Sequence, residues 1–204
     1  FTEVTYEEAQ KLAMFGAQVL HPRSMVPVRK SGTPVRVKNS YNITSPGSII
    51  VENHTGKVPP VCAITTVKNI TLIDIVSSRM LAAAGFLAHV FNNFLKWNIS
   101  IDVIATSEVS VSLTVNTKAD LSGLIADLEQ ASQVSVRKEK AIVTIICDAA
   151  HSSAILASGF QALAEEGINV QMISQGASKV NISMIVDADE ADKTIQILHS
   201  AYFN

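Results

Sequence analysis

Apolar and polar residues alternate along this 204-residue chain with two different periods, and the two periods recur twice in the same order. The first copy opens with the alternating run ITLIDIVS, Ile70 to Ser77. It continues through LAAAGFLAHVFNNFLKWN, where Phe86, Leu87, Val90, Phe91, Phe94 and Leu95 fall at helical spacing. Strand-like runs follow in ISIDVIATSE and VSVSLTVNT, then the helical stretch DLSGLIADLEQA and a last strand near Val134 to Lys138. The second copy begins with AIVTIICDA, Ala141 to Ala149, and places Ile155, Leu156, Gly159, Phe160 and Leu163 at helical spacing. INVQMISQGA, KVNISMIVDA and ADKTIQILHSA complete it. Asn98 and Gly167 stand just after the first helix of each copy, where a residue tolerant of left-handed φ ends a helix well.

Each copy therefore predicts strand, helix, strand, strand, helix, and such a repeat fixes the architecture before any motif is read. The first copy closes with a fourth strand, giving a βαββαβ unit of ferredoxin-like type. The second runs out of chain after its last helix. PVCAITTVKN, Pro60 to Asn69, alternates like a strand and belongs to neither copy, so it is the expected missing strand. The pattern predicts an α+β fold in which a first module, 70–139, is inserted into a second one assembled from 59–69 and 140–204. Residues 1–58 differ from both. Thr5 and Glu8 form a capping-box start for the helical segment VTYEEAQKLAMFGAQVL, PVRVKNS reads as a short strand, and Gly32, Pro34, Pro46 and Gly47 mark turns. This segment is too short for a sizeable core of its own, which points to the tail of a larger domain.

Composition narrows the function classes. A net charge of −2 with no basic run gives no footprint for a phosphate backbone or an anionic membrane, so nucleic acid and lipid are not expected partners. The longest apolar stretches fall far short of a bilayer span. The chain opens on Phe1 and a mixed segment without the regions of a signal peptide, and its start reads as a truncation. Cys62 and Cys147 lie in apolar strand-like runs, where buried reduced thiols are expected rather than a disulfide framework or a metal site. Asn-x-Ser/Thr triplets at Asn42, Asn53, Asn69, Asn98 and Asn181 read as chance without a secretory signal. Together these features favour the cytoplasm or a plastid stroma.

The segments TYEEAQKLAMFGAQVLHPRSMVPV, PVRVKNSYN and PGSII resemble the close of an aspartate kinase catalytic domain. GFLAHVFNNFLKWNISIDVIATSEVSVSLTV resembles that family's first ACT module, and INVQMISQGASKVNISMIV its second. The resemblance covers almost the whole chain and is closest to the lysine-sensitive form. It implies a parent enzyme that makes aspartyl phosphate from aspartate and ATP with Mg2+, while the ACT pair mediates dimerisation and feedback inhibition. The glycine- and lysine-bearing opening strand of the kinase is absent, and QGASK, Gln175 to Lys179, lacks P-loop spacing. The fragment alone is expected to be inactive, with no catalytic residue and no metal ligand.

A free lysine presents one carboxylate and two ammonium groups, so its pocket needs main-chain donors and acidic side chains. Gly85, Phe86 and Leu87 fall near a helix start, Asp102 near a strand start, and Ser107 and Glu108 in the turn beyond. By resemblance, Met80, Ala83, Gly85, Phe86, Leu87, Ile101, Asp102, Ser107 and Glu108 stand at effector-contact positions. At Ala83 the family form carries Ser, so one hydroxyl is missing here. Read without the resemblance, Phe86, Leu87 and Ile101 are core residues and the two acids are solvated surface charges. In the second copy Gln171 aligns with Asp102 and QGASK replaces TSE, so both acids are missing and packing, dimer contact or transmission is expected instead. Gln18 and Val19 stand where relatives approach the nucleotide, Lys38 could neutralise a phosphate, and His21 beside Pro22 reads as structural. The expected effector is lysine, with threonine and S-adenosylmethionine as alternatives. Two rival readings are a stand-alone regulatory subunit and a purely structural dimerisation device.

Overall fold

The computed structural model describes residues 2–14, 24–56, 59–80, 84–147, 149–176 and 181–203. Its N-terminal part holds β1 (Glu3–Thr5), α1 (Tyr6–Met14), α2 (Met25–Ser31), β2 (Val35–Val37) and β3 (Ser48–Val51), with strand order β1-β3-β2. The capping box forms as expected. Thr5 N donates to Glu8 Oε2 at 2.7 Å, and Glu8 N donates to Thr5 Oγ1 at 3.3 Å. This part does not close a core alone. Val4, Tyr6, Ala9, Met25 and Ile50 are buried together with Cys62, Ala63 and Ile146 from the following sheet.

That sheet is built on two long strands, β4 (Val61–Val76) and β7 (Gln133–Cys147). Between them lie α3 (Phe86–Lys96), β5 (Ile104–Thr106), β6 (Ser110–Asn116) and α4 (Ser122–Glu129). After them come α5 (Ser152–Glu165), β8 (Met172–Gln175), β9 (Asn181–Asp187) and α6 (Ala191–Phe203). The strand order is β5-β6-β4-β7-β9-β8, with antiparallel pairing throughout. The fold is α+β, with two interlocked ferredoxin-like units. Residues 70–76 of β4 pair with β6 and with the first part of β7, whereas 61–67 pair with the last part of β7, from Ile142 to Cys147.

The sequence pattern suggested four separate strands here; the structure has two continuous ones, each turning at a non-glycine residue with positive φ. These are Asn69 (φ 63°) in β4 and Glu139 (φ 57°) in β7, and the β4–β7 register shifts at Val67/Ile70 and Ile70/Leu72. An irregularity of this kind bends a strand without ending it.

The bends fold the sheet on itself. Ile73, Ile75, Leu113 and Val115 pack against Val90 and Phe94 of α3 and Leu124 and Leu128 of α4. Val143, Ile145, Met184 and Val186 pack against Ile155 and Leu163 of α5 and Leu198 of α6. The opposite faces of the two halves share a third cluster, Ile70, Leu72, Val103, Ile142, Met172 and Ile185. Its outer strands also meet, for Ser174 Oγ of β8 donates to the Ile104 carbonyl of β5 at 2.7 Å. The helices thus form two outer layers around a creased sheet. Each fully buried Leu or Ile in these clusters contributes about 1.5–3 kcal/mol.

Candidate functional site

One end of the first half-sheet gathers most of the expected contact positions. β4 ends at Val76, and Ser77 then ties three segments together: its N–H donates to the Val109 carbonyl at 2.9 Å and its hydroxyl to the Ala131 carbonyl at 3.0 Å. A short 3₁₀ turn, Ser78–Met80, follows, and Met80 packs against the helix-side core. α3 begins at Phe86 behind Gly85, whose φ of 96° lies in the left-handed region. Among the described residues no atom crowds Gly85, so its backbone conformation rather than a close contact calls for glycine. The α3 N-terminus has no side-chain cap, which leaves first-turn N–H groups for an acceptor.

The β5–β6 turn completes this end. Ser107 N donates to the Ser110 carbonyl at 2.9 Å, the two hydroxyls lie 2.6 Å apart, and Ser110 N donates to Ser107 Oγ at 3.1 Å. Ser107 is therefore committed to holding its turn, and Glu108 stands exposed at the tip. Met80, Gly85, Phe86, Leu87, Ser107 and Glu108 share this end of the module.

Ile101 and Asp102 do not. They lie beyond the other end of α3, before β5, which starts at Ile104 rather than at the opening of the strand-like run ISIDVIATSE. The physical reason is Thr114. Its carbonyl accepts from Asp102 N at 2.9 Å while its hydroxyl accepts from Val103 N at 3.1 Å, so a side chain replaces one rung of the ladder. Six residues of mostly extended chain separate Asp102 from Glu108, roughly 15–20 Å. Within one chain the two acids therefore stand at opposite ends of the module rather than side by side. The Asp102 residue exposes surface overall, yet desolvation of its carboxyl pushes its pKa above the usual Asp value.

The second half has the equivalent position. Gln171 N donates to the Ile185 carbonyl at 2.8 Å, as Asp102 N does to Thr114, but the Gln171 side chain joins Arg137 and Asp187. Gln18, Val19, His21 and Ala83, and most of QGASK, lie outside the described residues. Lys38 donates to the Ile43 carbonyl at 3.0 Å and so fastens its own loop.

Sequence reasoning missed the outward half of α3. Val90 and Phe94 are buried, but Leu87, Phe91 and Leu95 are exposed at 37%, 40% and 77%, one above another at i, i+4 and i+8. The signal was available: six large apolar residues in ten form a face broader than one buried stripe of a helix needs.

The fold is of paired ACT type, and residues 148–202 match the family model described as ACT domain. The chain is 48% identical over 98% of its length to chloroplastic aspartokinase 3 of Arabidopsis thaliana, spanning 37% of that protein. It is 35% identical to lysine-sensitive aspartokinase 3 of Escherichia coli, spanning 46% of it. All of this chain superimposes on E. coli aspartokinase III solved with aspartate and ADP (R-state; TM-score 0.87, 33% identity, 47% of that chain). The same holds for its complex with lysine and aspartate (T-state; TM-score 0.83, 32% identity, 46% of that chain). A C-terminal regulatory domain of aspartate kinase from Porphyromonas gingivalis matches 70% of this chain over 97% of its own (TM-score 0.61, 32% identity). The chain belongs to the aspartokinase family and corresponds to its ACT-bearing regulatory region. It spans less than half the length of these curated relatives.

Proposed function

We propose that this chain is the regulatory region of an aspartate kinase, which binds an amino-acid feedback inhibitor, lysine, and joins two copies of the enzyme. In this reading the first module, 70–139, holds the effector and the second, 59–69 with 140–204, relays its state. Residues 1–58 form the end of the catalytic domain. The parent enzyme converts ATP and L-aspartate to 4-phospho-L-aspartate with Mg2+, using groups outside this chain, and the chain alone transfers no phosphate. Chloroplastic relatives at 46–48% identity favour a plastid stroma over the cytoplasm.

The observation that carries the reading is the placement of the two acids relative to the apolar stripe of α3. Glu108 lies beside the N-terminal end of this helix, and Asp102 lies just past its C-terminal end. Two α3 helices packed antiparallel about a two-fold axis, stripe on stripe, bring Glu108 of one copy toward Asp102 of the other. Carboxylates from two chains then converge on a cation, and the uncapped first turn of α3 receives the effector's carboxylate. A ligand held this way binds only the paired arrangement, which is the differential affinity that feedback control requires. The lysine-bound T-state of E. coli aspartokinase III supports the choice of effector.

Calorimetry of the dimeric chain with lysine, threonine, methionine and S-adenosylmethionine tests this. Lysine is expected to give saturable heat, abolished by Asp102→Ala and by Glu108→Ala. A folded dimer that gives no heat with lysine removes the assignment.

A further inference from the structure

The bend of β7 is spanned by a continuous line of polar contacts. Arg137 lies before the turn at Glu139 and Lys140 after it. Arg137 Nη2 donates to Asp74 of β4, which also accepts from Ser112 Oγ of β6 at 2.6 Å. Arg137 Nη1 donates to Gln171 Oε1 at 3.3 Å, and Gln171 Nε2 donates to Asp187 Oδ1 of β9 at 3.0 Å. Asp187 also pairs with Lys140. The line runs from the first half-sheet to the second and rims the apolar cluster between them.

We infer that Gln171 is the residue that holds the crease closed once the bends at Asn69 and Glu139 have formed it, acting as a one-way amide bridge between the two half-sheets. The partners fix its orientation: a guanidinium can only donate and a carboxylate can only accept, so the amide oxygen faces Arg137 and the amide nitrogen faces Asp187. No acid can replace it, because a carboxylate at 171 would have nothing to donate to Asp187. This accounts for the divergence at the duplicated position. In the first copy Asp102 keeps a carboxylate unspent on such a bridge, whereas in the second an amide closes the sheet. The inference does not depend on the identity of any effector.

Because the bridge has a direction, it can be reversed. Gln171→Glu keeps the contact to Arg137 but sets two carboxylates against each other, while Asp187→Asn in the same chain lets the new amide donate to the new carboxylate. Amide hydrogen exchange of the full chain reads the crease at the strands whose edges meet, β5 and β8. Gln171→Glu is expected to speed exchange there about tenfold while leaving Ile73 and Ile75 at the centre unchanged, and the double variant to return within about threefold of the parent. Exchange unaltered by Gln171→Glu, acceleration spread equally over the central strands, or a double variant no slower than the single one would each overturn the inference.

Discussion

Trp97 occupies the space that any side chain at position 123 would need: a Cβ on Gly123 would fall 2.1 Å from the ring's Cη2. The indole is held there because its Nε1 donates to Asp127 Oδ2 at 2.7 Å, and Lys96 reaches the same oxygen at 2.7 Å. The end of α3 is thereby clamped to α4. Gly123→Ala should displace the ring, break the bond to Asp127 and lower stability by about 1–3 kcal/mol. Trp97 is the only tryptophan in the chain, so a red-shifted emission maximum and an earlier urea midpoint check the expectation directly.

If α3 is the meeting surface of two copies, Phe91 lies at the centre of its stripe, between Leu87 and Leu95. Phe91→Glu places a charge where apolar area is to be buried and should raise the dimer dissociation constant by about thirtyfold or more. Sedimentation equilibrium reads this, and circular dichroism should stay unchanged because the buried face, Val90 and Phe94, is untouched. An unaltered association constant would mean that the copies meet elsewhere.

Much of this fold was legible in the chain. The duplication, the capping box of Thr5 and Glu8, and the helix ends at Asn98 and Gly167 are local signals that the structure realises, with φ of 52° and 71° at the last two. What escaped was relational. Nothing local at Asn69 or Glu139 says that the strand on either side is one strand, because a bend and a break look alike in an alternating pattern. Likewise Asp102 and Glu108 are close in sequence yet stand at opposite ends of a module, since an extended chain converts six residues into distance. Gln171 could be aligned with Asp102, but its bridge needs Arg137 and Asp187, which only the folded sheet brings together.

The raised pKa of Asp102 gives ligand binding a pH dependence. Desolvation makes its charge costly, so the folded chain holds this proton more tightly than the unfolded one. The penalty is absent at low pH and appears as pH rises from the ordinary Asp value toward the raised one. A docked ammonium group favours the charged form and expels the proton. Affinity for lysine should therefore fall as pH is lowered through that window, with proton release seen as calorimetric heats that depend on the buffer. Asp102→Asn should weaken binding and remove the proton release.

His54 fastens the end of the N-terminal part to its first strand and helix. Its Nε2 lies 2.9 Å from Glu8 Oε2 and its Nδ1 lies 3.4 Å from Glu3 Oε1, while Thr55 N donates to Glu3 Oε1 at 2.7 Å. The Thr55 N–H, followed by its hydroxyl, holds the Glu3 carboxyl below its usual pKa range. Beneath this clasp lies Cys62, whose thiol is pushed up to about 12 chiefly by burial, so it stays protonated and unreactive at neutral pH. His54→Ala should loosen the clasp and quicken labelling of Cys62 by a thiol reagent about tenfold, with labelled peptides identified by mass spectrometry.

The last helix is locked by one hydroxyl. Tyr202 Oη donates to the Ile155 carbonyl at 2.7 Å, and a Cβ on Gly159 would fall 2.0 Å from that same oxygen, so the α5–α6 contact requires both residues. Burial raises the Tyr202 pKa to about 12, which keeps the donor proton in place over the whole physiological range. Tyr202→Phe should cost about 1 kcal/mol through the lost hydrogen bond, and Gly159→Ala about 1–3 kcal/mol through overpacking. The two changes should not add, because removing the hydroxyl clears the atom that the new methyl group would strike. In urea titrations the double variant should therefore lose less stability than the sum of the single ones, by about 0.5 kcal/mol or more. Strict additivity would show that α6 slides away from the new methyl group as a whole, and that the hydroxyl does not fix its position.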